Sequence, residues 1–544
     1  MGYFDLGAYS RPVSTGSGAA QEWVDRGLNW TYAFNHEEAI TCFEAALEAD
    51  PGCVMALWGI AYAIGPNYNK PWEDFEPGEA PDALATARGA LKRAQESGAA
   101  ITAVERDLIA ALFSRYPDSA DDAALAEATD AYADAMRAVH QAHPGDLDVS
   151  ALFAEALMNR TPWVLWDLVS GQPARGADTA EARKVLETAF DSLAGAWDHP
   201  GLLHMYIHLM EMSPYPEKAL RHGDRLSTLM PDAGHLLHMS THIDVLCGDY
   251  MNVVLRNQTA IEADRRYLAH AGAENFYSVY RCHNYHFKIY GAMFLGQPGP
   301  ALEAAEELIE TLPDDLLRPL ADWFEGFIPM KQHVLIRFGR WQEILDQPLP
   351  EDAGLYCVTT AMMHYARAVA LANLGDIPAA EAERDAFVAA RDRVPETRML
   401  FNNTCRDILT VAEQMLLGEL AYKSGRHEAA FDHLRRSIAL DDTLPYDEPW
   451  GWMQPTRHAL GALLLDQGRY EEAEAVYRAD LGLVDTLSRA CQHPNNVWSL
   501  HGLHECLTRR GETVEAAHVK RQLDRAVARA DVPVKASCYC RQVA

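Results

Sequence analysis

The sequence predicts an all-α protein: a solenoid of antiparallel helix pairs that share one core. Three observations carry this expectation. Strand signals are sparse, with little apolar/polar alternation and no Asn-Gly hairpin turn. Ala, Leu and Glu recur at helical spacing along most of the chain. Gly or Gly-Arg separates paired helical runs at several points, as a helix C-cap and turn would.

The elements follow in order. In LNWTYAFNHEEAITCFEAALEADP, Ala39, Phe43, Ala46 and Pro51 stand at the spacing of the second half of a tetratricopeptide (TPR) repeat. Small residues there let two helices pack closely. Residues 20–65 are therefore read as an N-terminal TPR unit. Residues 66–100 and 161–178 are rich in Pro, aromatic and acidic residues and read as long connections. Both contain Trp, which argues against flexible linkers. Residues 199–296 hold histidine-rich pairs and end at Gly296, before Ala301 and Ala305. Residues 354–530 repeat the pattern in ARAVALANLGDIPAAEAERDAF, LLGELAYKSGRHEAAFDHLRRSI and LGALLLDQGRYEEAEAVYRADL. Residues 531–544 form a tail with Cys538 and Cys540. No composition shift splits the chain, so residues 1–544 are expected to form a single continuous TPR-like solenoid.

Bulk properties narrow the partners. The chain has 544 residues, is 49% hydrophobic and carries a net charge of −31. Such acidity repels phosphate backbones and anionic lipid, so neither nucleic acid nor a membrane is an expected partner. No apolar run is long enough to span a bilayer, and the first residues lack the pattern of a secretory signal. A cytoplasmic location is expected. Most of the ten cysteines stand singly, which suits reduced thiols.

The histidines are distributed unevenly. Ten of the 22 fall between His199 and His286. His204, His208 and Glu211 stand at i, i+4, i+7; His235, His238 and His242 at i, i+3, i+7; His283 and His286 at i, i+3. Each set shares one helix face. All three lie on first helices of successive pairs, which line the concave groove of a TPR array. The second helices between them carry only His222 and His270. A single helical histidine is more often a packed core residue than a ligand. Three columns in register with the repeat point instead to metal binding. The seven imidazoles exceed one ion's needs and suit a mono- or dinuclear centre. Copper is the leading ion, with zinc or iron as alternatives; Glu211 leaves room for iron. One division assigns His204, His208 and His238 to one ion and His242, His283 and His286 to a second. Glu211 and His235 then orient ligands or move protons. Met239 is a soft atom in the same column, or simply core.

Weaker groove candidates are Glu155, Asn159, Trp163, Trp166, His364, Trp450, Trp452, Arg457, His458, His501, His504, Glu505, Tyr68 and Asn69. Trp at such positions more often packs the repeat. Cys538 and Cys540 form a C-x-C at a mobile end, able to hold a soft metal, form a disulfide, or do nothing. The tail is also a candidate occupant of its own groove.

The chain resembles a large group of bacterial TPR proteins marked by H-P-G…H-x-Y-I-H-x-x-E, A-G-H-L-x-H-M-P-S-H-I and H-N-x-H-F. The matching stretches are His199-PGLLHMYIHLME, Ala233-GHLLHMSTHI and His283-NYHF. FNHEEAITCFEAAL, WGIAYAIGPNYNKPW, WSLHGLHECL and SCYCR extend the likeness over most of the chain. Ser240-Thr241 departs from the family's Pro-Ser, and the helix is expected to be straighter without that proline. The resemblance implies the fold and the histidine motif; it assigns no reaction.

The leading expectation is a metal-dependent enzyme on a TPR superhelix that oxidises a small molecule or peptide with O2. Helical imidazoles around paired ions resemble the ligand supply of type-3 copper centres. A zinc hydrolase with Glu211 as general base is the runner-up. A non-catalytic peptide-binding scaffold and a copper-storage protein are the other readings. No P-loop, dinucleotide fingerprint or G-x-S-x-G elbow is present.

Overall fold

A computed structural model describes residues 2–541. The fold is an all-α, TPR-like solenoid of helix pairs joined by short turns. Extended pairing among the described residues is confined to two-residue ladders, Trp166–Asp167 with Gln172–Pro173 and Met399–Leu400 with Asn403–Thr404, and an Asn67–Lys70 bridge.

The chain divides into two compact units. The first runs to Ile243 and adds Glu262–His270 and Asn275–Tyr277; the second holds Asp244–Ile261, Ala271–Glu274 and the chain from Ser278 onward. The first unit contains α1 (Gly18–Tyr32), α2 (His36–Ala49), α3 (Val54–Ala63), α4 (Glu79–Glu96), α5 (Ala103–Phe113), α6 (Asp122–Ala142), α7 (Leu147–Met158), α8 (Thr179–Ser192), α9 (Pro200–Glu211) and α10 (Leu220–Leu226). Helices α11 (Gly234–Cys247), α12 (Tyr250–Ala271) and α13 (Tyr277–Leu295) give residues to both units. The second unit continues with α14 (Pro298–Glu310), α15 (Asp314–Leu317), α16 (Ala321–Phe324), α17 (Met330–Arg337), α18 (Trp341–Asp346), α19 (Cys357–Leu374), α20 (Ile377–Arg391), α21 (Cys405–Lys423), α22 (His427–Asp441), α23 (Thr456–Asp466), α24 (Tyr470–Asp480), α25 (Val497–Arg510) and α26 (Thr513–Val527).

One packing device recurs. Phe43 of α2 is wedged between Gly27 of α1 and Gly59 of α3: a Cβ on either glycine would lie within 2.6 Å of its ring. Tyr477 of α24 sits in the same way between Gly461 of α23 and Gly502 of α25. The aromatic ring of a second helix thus fills the slot left by glycines on the flanking first helices. Burying such a ring stabilises the stack by roughly 2–3 kcal/mol. Capping sets the starts: Ser17 accepts from the Ala20 N–H and Asn35 from the Glu38 N–H. Gly375 ends α19 with φ +91°, a conformation that favours glycine.

Residues 66–100 differ from the expected connection. After an irregular segment they form α4, whose Leu84, Ala87, Leu91 and Ala94 are buried on one face. Helical periodicity outweighs the local Pro content because Pro81 falls in the first turn, where no intrahelical N–H is needed. Residues 161–178 remain a connection, pinned where the Trp166 indole donates to the Leu209 carbonyl (2.7 Å).

Candidate metal centre

Helix α9 is buried along its whole length. His199 caps it, its Nδ1 accepting from the Leu202 N–H (3.1 Å) and its Nε2 lying 3.2 Å from Asp148. Pro200 follows at the first helical position, where its fixed φ favours helix entry. Burial pushes the Asp148 carboxyl upward, but His199 and Arg11 overcome this and hold it below the usual range. A Cβ on Gly201 would lie 2.5 Å from the Tyr32 ring, so α9 packs tightly on α1.

That seat aims His204 and His208 one turn apart, with ring centroids 4.7 Å from each other. His204 Nδ1 is 2.7 Å from the Tyr32 carbonyl, which makes it the donor nitrogen. His208 Nδ1 is 3.0 Å from Glu211 Oε1, and His242 Nδ1 of α11 is 2.9 Å from Glu211 Oε2. One carboxylate thus orients two imidazoles on different helices. For His204 and His208 the proton therefore sits on Nδ1 and the Nε2 lone pair is left for another partner. His204 Nε2 and His208 Nε2 are buried with no hydrogen-bond partner.

His235 of α11 completes the first group. Ligand nitrogens of His204, His208 and His235 all lie within 4.8 Å of one another, and all three residues are buried. The expected set had His238 there and His235 beside it. The phase of α11 against α9 brings His235 forward, and the Tyr277 hydroxyl, accepting from the His235 backbone N–H (3.0 Å), fixes that end of the helix. His238 pairs with His242 instead, their Nε2 atoms 2.8 Å apart. Burial, with mutual repulsion among the imidazoles, holds His204, His208 and His235 well below the usual histidine range. They are neutral at physiological pH, the state a metal ligand requires.

Aromatic rings wall the group. Phe34 lies 4.5 Å from His204, 5.9 Å from His208 and 5.7 Å from His235. Tyr68 and Trp163 lie 4.8 and 5.8 Å from His208. Phe34 and Trp163 both have positive φ, +55° and +60°, uncommon for bulky residues and a sign of strain held at the site. The sequence offered no signal for Phe34, whose role depends on the turn before α2. Tyr68 and Trp163 stood only among the weaker candidates.

His283 and His286 lie on α13 in the second unit. His283 packs against Phe287 and Phe401, with centroids 4.9 and 4.5 Å away. His286 Nε2 lies 2.9 Å from Met453 Sδ, and burial, aided by His333, pushes the His286 imidazole down to about 3. Met453 and His333 were not foreseen, because they come from distant helices and loops.

The weaker candidates are mostly structural. The Trp450 indole donates to Asp441, Arg457 pairs with Asp442, and His364 Nδ1 lies 2.6 Å from Glu383. His458 is 3.1 Å from Asp480, itself 2.8 Å from His493. The tail is anchored rather than free within the second unit: Ser537 bonds Arg337, Tyr477 and His458, and Arg541 bonds Glu505. Cys538 and Cys540 form a disulfide whose sulfurs lie within 4.8 Å of a Glu419 carboxylate oxygen.

Comparison with known proteins finds tetratricopeptide repeats in two short stretches and is silent on chemistry. Tetratricopeptide-repeat family models match residues 456–490 and 34–53. No curated protein sequence matches. Among solved structures, the APC/C hetero-tetramer Cut9-Hcn1 is 14% identical, covering 93% of this chain and 76% of that one, with a TM-score of 0.31. The human IFIT1 dimer with m7Gppp-AAAA is 12% identical over 88% of this chain and 90% of that one, TM-score 0.35. The P58(IPK) TPR domain is 12% identical over 91% and 99%, TM-score 0.22. Two short stretches of this chain therefore match TPR repeats, within a mostly helical fold that carries buried histidine clusters.

Proposed function

We propose that the chain is a metal-dependent enzyme whose ion is held by His204, His208 and His235, with Glu211 as the orienting carboxylate. The observation that carries this reading is the tautomer arrangement. His204 and His208 have Nδ1 engaged by a carbonyl and a carboxylate, and both keep an unpartnered Nε2 in a buried place. Leaving such atoms unsatisfied in a core costs about 1–3 kcal/mol each. An ion bound to them would remove that cost.

Copper is the ion we favour, and oxidation of a small molecule or peptide with O2 the chemistry it would supply when bound. His238 and His242, whose Nε2 atoms lie 2.8 Å apart, would serve a second ion or hold the first group. The Phe34, Tyr68 and Trp163 rings pack against a fully buried His208, and a site shielded in this way would suit oxidative chemistry. The hydrolase reading is weaker, because both Glu211 oxygens are engaged by imidazole Nδ1 atoms. Within the described residues no helix is long and apolar enough to cross a membrane. Eight of the ten cysteines are free, and apart from the Cys538–Cys540 disulfide they support the cytoplasmic location we assign.

The test is elemental analysis of tag-free protein, wild type and His204→Ala/His208→Ala, alongside O2 uptake with candidate reductants. About one or two equivalents of copper, lost in the variant, are expected. Zinc alone would favour the hydrolase. No metal after reconstitution, with the variant equally stable, would leave a peptide-binding scaffold.

A further inference from the structure

The first unit contains a cavity of about 280 Å3 near its N-terminal helices. That is close to the lower end for small-molecule pockets. Arg115 lines it and is only 2% exposed. Its guanidinium lies 5.0 Å from the rings of both Tyr62 and Tyr132, and Nη2 donates to the Pro66 carbonyl. Nη1 is buried without a hydrogen-bond partner. Trp72 also lines the cavity, is 8% exposed, and has an indole N–H without a partner. Two residues that line one cavity thus each keep an unused donor, one of them charged. Native cores rarely leave such donors unsatisfied, and a guanidinium is the costlier of the two.

The other charges sort by position. Arg160 lines the cavity too but is neutralised by Asp130 and Asp178. Glu155 is the nearby carboxylate that could answer Arg115. It accepts the Tyr62 hydroxyl (2.6 Å), and burial pushes its carboxyl upward against the pull of the Arg115 charge, which it therefore answers in part without a hydrogen bond to Nη1. Glu73 and Asp122, by contrast, line the cavity as exposed residues. The cavity is therefore lined by a buried guanidinium with one unused donor and by an exposed acidic rim.

We propose that this cavity binds a small zwitterion of the amino-carboxylate class. Its carboxylate would take the Arg115 Nη1–H and the Trp72 indole N–H, and its ammonium would face Glu73 and Asp122. A planar guanidinium fork suits a carboxylate better than a point charge would. Two chain segments run from the cavity wall to His208. Asn67 and Pro162 line it, and their chain neighbours Tyr68 and Trp163 lie against His208. The ligand class does not depend on a metal; only the cavity's role as substrate pocket rests on the metal reading.

The experiment is calorimetric titration of the metal-free full chain with glycine, 4-aminobutanoate and 6-aminohexanoate. Hexanoate, hexylamine and inorganic phosphate serve as controls. At least one amino-carboxylate is expected to bind at one site, about tenfold tighter than hexanoate, with hexylamine silent. Arg115→Lys is expected to weaken that binding about tenfold or more. Trp72→Phe keeps the ring, removes the donor, and is expected to weaken it about fivefold. If Arg115→Lys melts early, Trp72→Phe decides alone. The proposal falls if no amino-carboxylate binds at about 10 mM. It also falls if phosphate competes equally or if both folded variants bind like wild type. Metal content measured on the same variants separates this result from the metal reading, since neither residue is one of the candidate ligands.

Discussion

Glu211 is the residue on which the candidate centre turns. Its two oxygens meet Nδ1 of His208 and Nδ1 of His242. Glu211→Gln would replace one oxygen with an NH2 group, setting donor against donor. One imidazole must then rotate or change tautomer and lose its aim. We expect metal affinity to fall about 10–100-fold with helix content unchanged, the usual cost of removing an outer orienting partner. A chelator-competition titration on both proteins reads this directly. If Glu211 were instead the proton acceptor in the reaction, affinity would hold and only turnover would drop. The sequence showed that His204, His208 and Glu211 share a helix face. It did not show that Glu211 would reach across to His242. That contact depends on how α9 and α11 cross, and helical spacing carries no information on crossing.

At the scale of elements, the helix pairs are legible in the sequence where small residues recur and obscure where tertiary contact decides. The spacing of Ala39, Phe43 and Ala46 is enough to mark α2. The partners of Phe43 carry no such mark, although Gly27 and Gly59 each stand 16 residues from it in the sequence. Helix α4 is hidden because its neighbourhood is rich in Pro and acid, and only the burial of Leu84 and Leu91 shows what holds it. The Gly27–Phe43–Gly59 slot makes a sharp test. Gly59→Ala places a methyl 2.5 Å from the Phe43 ring, so something must shift. Overpacking of this kind costs about 1–3 kcal/mol, and the alanine's better helix propensity recovers only part of it. Phe43→Leu in the same chain should relieve the clash, making the double variant more stable than the sum of single effects predicts. Urea unfolding of the four proteins measures the coupling; strict additivity would mean that the slot does not control the stack.

For the whole molecule, two electrostatic effects oppose each other as pH falls. The chain carries −31 at pH 7, and its pI is about 5.0. Self-repulsion therefore weakens on acidification, which by itself would stabilise the fold. Buried histidines act the other way. Burial lowers His36 and His333 to about 3, and His222 to about 4. Each stays neutral in the fold while its unfolded counterpart takes up a proton below about 6.5. Nothing is lost above that pH; below it, stability falls until the folded histidine itself protonates. At pH 5 each such histidine costs roughly 2 kcal/mol. Together they approach the whole stability of a typical domain. Surface repulsion is screened within about 8–10 Å by ordinary salt, whereas the burial effect is not. The histidines should win. Denaturant midpoints are expected to drop steeply between pH 6.5 and 5, at low and high salt alike, well above the range where carboxylates titrate. Stability that stays level or rises toward the pI would show that these imidazoles are accessible to water or paired with acids in solution.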